Sequence, residues 1–264
     1  MVSFFTPDGD AMIPEPIARS SWGGGHLGGP AVCGLMAREV ERYCPEGFVP
    51  ARMTADLFRP VRDLPITVQS EVVRTGRRIT VADARIVQDG AVRARSTVVF
   101  LSTGAPPPGQ LWRPERELPV PPVGIVPPEG GPPLFRSGAS EWSGEYADHQ
   151  NAERKISWHA IPALVAGEKL TPFQHAAMVG DTANHICHWG SADAAYINAD
   201  MTLTLSRLPI GFELGLRAED SLASDGVSIG TATMYDRIGP LGTCVVSSLS
   251  NADQLIHHNA PGAE

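Results

Sequence analysis

Only four cysteines, Cys33, Cys44, Cys187 and Cys244, occur in the 264 residues, and no two form a CxxC pair. That excludes a disulfide framework and the common zinc motifs as the basis of the fold. No apolar run approaches the roughly 20 residues of a spanning helix, so stable membrane insertion is not expected. Basic clusters are missing too, and the formal net charge is -8. Nucleic acid and anionic membrane surfaces need clustered cations and are therefore poor partners for this chain. The first ten residues, MVSFFTPDGD, carry acids and Pro7 where a secretory leader would be basic and then apolar. A reduced, cytoplasmic protein is the expectation.

What is present suits a folded core, with 42% hydrophobic residues in a chain long enough for one large domain or two ordinary ones. The densest Pro/Gly stretch runs from Gly104 to Gly138. Proline can neither continue a helix nor donate to a sheet ladder there, so residues 104–138 read as a connector between units 1–103 and 139–264.

Each unit shows the same order of elements. After GGGHLGG comes the helical run PAVCGLMAREVERY, with Val32, Leu35, Met36, Glu39 and Tyr43 at helical spacing. Four strand-like segments follow: ARMTADLF, PITVQSEVVR, RITVADARIV and AVRARSTVVF, the later ones divided by TGR and QDG turns. The second unit repeats this with TPFQHAAMVGDTANHICHW as its helix, Thr171 as N-cap and Pro172 at the first helical position. NADMTLTLSR, GFELGLRAE, GVSIGTATMYD and LGTCVVSSLS are its strands. Met53, Thr54, Leu57 and Arg59 match Met201, Thr202, Leu205 and Arg207 at one constant offset, and Gly76 and Gly226 each precede an Ile-containing strand. A duplicated α+β unit is predicted, each helix wrapped by a curved antiparallel sheet that buries its apolar stripe.

These residues resemble the double-hotdog acyl-CoA thioesterases, notably the bacterial type II, TesB-like enzymes. In the first unit the likeness rests on HLGG before the helix and on ADLFRPVRDLPITVQSEVVRTGRRITVADARIVQDGAVRARSTVVF; in the second, on the helix bearing Asp181 and on NADMTLTLSR. It covers nearly the whole chain. The resemblance implies hydrolysis of acyl-CoA to free acid and CoA, with no cofactor or metal, and a homo-oligomer, a dimer of double hotdogs. It also implies that Asp181 orients or deprotonates the attacking water. Asn198 stands where the family carries Thr or a similar hydroxyl, and Ser248, or Ser247 in a shifted register, where it carries Gln. Both types can hydrogen-bond a water.

The residues support that chemistry in their own terms. From His175 to Trp189, Asp181 is the only acid and no Lys or Arg occurs, which predicts a helix buried nearly all round. A buried carboxylate without a role is costly. Free N–H groups at a helix start can stabilise an oxyanion, and Gly28 and Gly29 would let a substrate carbonyl approach the backbone closely. His26, just ahead of them, completes the predicted substrate-binding set.

Four other motifs compete. GVSIG, residues 226–230, matches G-x-S-x-G, with Asp236 and His257 following in hydrolase order, but a nucleophile elbow needs a strand–turn–helix and this segment reads as a strand. GGGHLG, residues 23–28, matches G-x-G-x-x-G without the preceding strand or the later acid of a dinucleotide site. Asp181, His185 and His188 share a helical face, yet a third and fourth zinc ligand are not evident. Asp181 with His26, the only histidine of the first unit, would suit a double-hotdog dehydratase or hydratase, although HLGGP departs from that pattern. A catalytically degenerate acyl-CoA-binding protein is the alternative outside the enzymes. Trp22, Trp142, Trp158 and Trp189 read as core packing near element ends.

Overall fold

The computed structural model describes residues 2–21, 23–112, 115–127 and 130–252; Trp22 and His257 lie outside them. Strands β1 (Ser3–Asp8) and β2 (Ala11–Pro14) form a hairpin ahead of helix α1 (Gly29–Glu41). Then come β3 (Phe48–Leu57), β4 (Val68–Arg74), β5 (Ile79–Gln88) and β6 (Ala91–Ser102). The later chain adds β7 (Leu134–Ser137), β8 (Lys155–His159), β9 (Ala163–Val165), helices α2 (Pro172–Asp181) and α3 (Ala183–His188), and the short β10 (Trp189–Gly190) and β11 (Asp193–Ala194). β12 (Tyr196–Asn198), β13 (Asp200–Leu205), β14 (Leu214–Ser224), β15 (Val227–Asp236) and β16 (Gly239–Ser250) complete it.

One eleven-stranded sheet dominates, in the order β4-β5-β6-β3-β13-β16-β15-β14-β8-β7, with β12 also paired to β16. The order runs outward in the same sense from the central β3–β13 pair. At that seam Thr54 pairs with Thr202, its repeat equivalent 148 residues on, and their hydroxyls lie 3.2 Å apart. The irregularity recurs as well. β3 is bulged between Pro50 and Arg52, and its counterpart is interrupted at Ala199, between β12 and β13. A bulge bends a strand and re-aims its neighbours, and Asn198 is one of those neighbours.

Alternation decides which face of the sheet is covered. Met53, Ala55, Met201 and Leu203 point inward and are fully buried, whereas Thr54, Thr202 and Thr204 point outward. The helices lie on the inner face, antiparallel to one another. The start of α1 meets the end of α2 at Gly29 and Asp181, and the end of α1 meets the start of α2 where Glu41 accepts hydrogen bonds from Thr171 and Gln174. Gly34 makes the crossing possible, because a β-carbon there would overlap Met178.

Two features differ from the sequence reading. Leu134–Ser137, assigned above to the connector, is a strand hydrogen-bonded to β8. A four-residue strand has too few alternations to register as a period, and its proline-rich approach hides it further. The second helix is also divided at Thr182, whose hydroxyl donates to Val179 O at 2.7 Å while its N–H bonds Val179 O in a tighter turn. Such back-bonding bends helices. Thr171 is the N-cap, as predicted, and it also forms a full capping box with Gln174. Among the described residues, no helix is long and apolar enough to cross a membrane.

Candidate active site

A cavity of about 790 Å³ opens where the start of α1, the α2–α3 bend, the end of β3 and the β12–β13 junction converge. Asp181, the last residue of α2, lines it, and the whole of that turn is buried. Two sequence features bring the carboxylate there. The α2 run carries no charged residue before Asp181 and is buried all round between sheet and α1, and Gly29 leaves room for the acid: a β-carbon at that position would overlap both carboxylate oxygens.

The carboxylate has few partners. Asn198 Nδ2 donates to Asp181 Oδ1 at 3.0 Å, and the buried Cys33 thiol lies 4.0 Å from the same oxygen. Burial raises the Asp181 pKa to about 6, an effect that the Asn198 hydrogen bond opposes. Desolvation, with the Asp181 charge adding to it, pushes the Cys33 thiol up, so Cys33 is a neutral S–H and a weak donor. The site thus holds a base poised near neutrality.

Above the carboxylate stands the beginning of α1. Gly28 is the N-cap in extended conformation; its N–H is held by Ala18 O, Pro30 has none, and Val32 N–H bonds Gly28 O. The N–H groups of Gly29 and Ala31, both cavity-lining residues, belong to the helix's unsatisfied first turn. His26, Gly28 and Gly29 all line the same cavity. The predicted substrate-binding set is thereby assembled around Asp181.

Ser248 is different. It faces Asn198 across the β12–β16 pair, but its side chain is buried outside the cavity lining, and its hydroxyl donates to Asn184 Oδ1 at 2.7 Å. Ser248, expected to help hold the water, thus contacts Asn184, which does line the cavity. Ser247, the alternative, donates its backbone N–H to Asp200 Oδ1.

Sequence reasoning passed over several residues of the site. Asn184 lines the cavity one turn beyond Asp181, a spacing that could have revealed it. His159 also lines it, with Nε2 2.8 Å from Ser157 Oγ and 3.4 Å from Thr182 Oγ1. Burial, with nearby His175 adding to it, lowers the His159 pKa to about 3, so its ring is neutral. Phe135, Tyr146 and His185 form an aromatic wall backed by Trp189, with Phe135 and Trp189 ring centroids 5.2 Å apart and edge-on. Only Trp189 of that wall was anticipated as packing.

The rival motifs resolve into ordinary structure. Ser228 lies within β15, a strand, and the next element is strand β16 rather than a helix. His188, offered by spacing as a ligand, has Nδ1 2.8 Å from Asn184 Oδ1 and Nε2 2.8 Å from Ser228 Oγ. Among the described residues no three acid, histidine or cysteine side chains converge in a way that could hold a metal ion.

Two family models match the chain: the acyl-CoA thioesterase N-terminal domain over residues 18–101 and the acyl-CoA thioesterase C-terminal domain over residues 121–248. No curated protein sequence matches it. Among solved structures, a hot dog fold protein from Alicyclobacillus acidocaldarius shares 18% identity at a TM-score of 0.65, covering 94% of this chain and 96% of that one. The tesB protein of Mycobacterium avium subspecies paratuberculosis shares 13% at 0.63, covering 86% and 88%. The acyl-CoA thioesterase II TesB2 of Mycobacterium marinum shares 15% at 0.60, covering 84% and 90%. At such identities the likeness is one of fold, an α+β hotdog type.

Proposed function

The chain belongs to the acyl-CoA thioesterase family, and we propose that it hydrolyses an acyl-CoA to free acid and CoA through a water activated by Asp181. In this reading the fold is a double hotdog of two tandem units, and the second unit supplies the base. The observation that carries the proposal is the buried Asp181 carboxylate, raised to about 6, lying against the start of α1 inside the cavity.

The mechanism follows from those groups. Asp181 takes a proton from water as the water oxygen attacks the thioester carbonyl carbon. Asn198 holds Asp181 Oδ1 by its 3.0 Å hydrogen bond, which fixes the carboxylate and leaves Oδ2 for the water. Negative charge developing on the carbonyl oxygen meets the N–H groups of the first turn of α1 and the positive end of its dipole. The C–S bond then breaks, and the departing CoA thiolate takes the proton from Asp181. No redox step or bound group is needed. Arg59, exposed at the cavity, is a cation within reach of a phosphate-bearing substrate, and the aromatic wall suits its apolar acyl end.

One observation supports a second reading. His26 lines the same cavity as Asp181, the pair that a hydratase or dehydratase would use. Release of free thiol from short, long and aromatic acyl-CoAs, compared with hydration of enoyl-CoAs, separates the two. Thiol release that collapses in Asp181→Asn supports the thioesterase. Enoyl-CoA hydration without thiol release overturns it. Tight acyl-CoA binding with neither activity points to a degenerate binding protein.

A further inference from the structure

We infer that Asn184 is a further catalytic residue of this site, donating an amide N–H to the thioester carbonyl oxygen, and that Ser248 is a positioning residue that aims it. This rests on the thioesterase reading above.

The orientation of the Asn184 amide is determined by its neighbours. Tyr196 O can only accept, and it lies 2.9 Å from Asn184 Nδ2. The nitrogen must therefore be on that side and Oδ1 on the other. There Oδ1 accepts from Ser248 Oγ at 2.7 Å and faces His188 Nδ1 at 2.8 Å. His188 must carry its proton on Nδ1, because Oδ1 can only accept; its Nε2 lies 2.8 Å from Ser228 Oγ, whose one proton is shared between that nitrogen and Leu222 O at 3.1 Å. Burial lowers the His188 pKa, in keeping with a neutral ring. These contacts fill the acceptor side of the amide and one of its two N–H groups. The second N–H has no partner among the described residues, on a side chain that lines the cavity.

An N–H that no protein group takes up, on a side chain lining the cavity, is open to an acceptor that enters it. Asn184 follows Asp181 by three residues across the Thr182 bend, and both line one cavity. The preorganisation is of the kind that stabilises charge in a transition state: the dipole is already aimed and its orientation is held by three hydrogen bonds. When water adds to the carbonyl carbon, its proton passing to Asp181, the π electron pair moves onto the carbonyl oxygen. That oxygen becomes the acceptor the second N–H lacks. Collapse of the intermediate restores C=O, breaks C–S and releases thiolate, which is protonated from Asp181.

The position also explains Ser248. It does not itself line the cavity but donates to Asn184, which does, so its effect on catalysis passes through Asn184.

The test is a double-mutant cycle on the full chain, with kcat and KM from thiol release and, separately, affinity for a non-hydrolysable thioether analogue of acyl-CoA. Asn184→Ala is expected to lower kcat by about 10²-fold while KM and analogue affinity change by less than about threefold. Ser248→Ala is expected to lower kcat by about tenfold, and Asn184→Ala/Ser248→Ala to be no slower than Asn184→Ala, because units acting together are not additive. If Asn184→Ala keeps kcat within about threefold, or if the two losses multiply, the inference fails. A variant that no longer binds the analogue has lost its fold rather than one donor; Asn184→Ser then replaces it, with the same kcat loss expected. Wild-type turnover that depends on Asp181 but not on Asn184 overturns this inference alone. Absence of wild-type turnover overturns the thioesterase reading and this inference together.

Discussion

The Cα of Gly29 lies directly against the carboxylate of Asp181, so closely that a β-carbon on Gly29 would overlap both of its oxygens. The first turn of one helix and the last residue of the other thus share one small volume. Gly29→Ala must displace either the acid or the start of α1. Since small misplacements cost large rate factors, kcat/KM for thiol release should fall about 10²-fold. Thermal unfolding should show a lower Tm, and most of that loss should vanish in an Asp181→Ala background, where the obstacle is gone.

The pH profile should report the same carboxylate. With Asp181 raised to about 6, log(kcat/KM) should climb with unit slope below about pH 6 and level off above it, and Asp181→Asn should abolish the limb. Asn198→Ala removes the hydrogen bond that opposes the upward shift. Its limb should therefore move to higher pH while the plateau falls about 10- to 100-fold, a rough expectation for loss of a group assisting the base.

Stability should run against activity. The native state holds the Asp181 proton up to about pH 6, whereas an unfolded chain releases it near pH 4. Between those values the folded form binds more protons, so stability falls as pH rises through the window and then stays level. Two units correspond to about 3 kcal/mol at most. Asp181→Asn should be more stable than wild type above pH 7, on the order of 1–3 kcal/mol, and indistinguishable from it near pH 4. Denaturant titrations at the two pH values check this.

A second buried acid behaves in the opposite way. Burial pushes the Asp236 carboxyl up, but the bidentate Arg207 guanidinium, at 2.6 and 2.7 Å, and the N–H groups of Ile210 and Ile238 outweigh it and hold the pKa below its usual value. This stabilisation is present above the unfolded pKa near 4 and is lost as pH falls through the folded one. Asp236→Ala leaves Arg207 without its partner and should cost about 3 kcal/mol, seen as acid unfolding that begins at higher pH.

How far these features could be read in advance depended on their physical range. The long strands β5, β6, β15 and β16 carry alternation over ten residues or more, and α1 carries a helical stripe, so local pattern suffices for them. Asp181 was legible because a lone acid in an apolar run is anomalous by itself. β7 and β8 were not, since strands of four and five residues are defined by their partners rather than their own pattern. The break at Thr182 turns on whether a threonine hydroxyl faces its own backbone, which sequence does not say. Ser248 was assigned by strand position, and only the folded chain reveals that its hydroxyl bonds Asn184, a cavity-lining residue.

The Thr54–Thr202 seam has a wider consequence. Moved back by the 148 residues that separate that pair, Asp181 falls on Cys33 and Asn198 on Pro50, neither of which can act as a base or an amide donor. The chemistry is therefore not repeated along the chain. The later helix carries the acid, while the earlier one contributes the glycine and the helix start that the acid leans on, so each helix is half of a single apparatus. Because both build one cavity, a ligand titration should saturate at one molecule per chain.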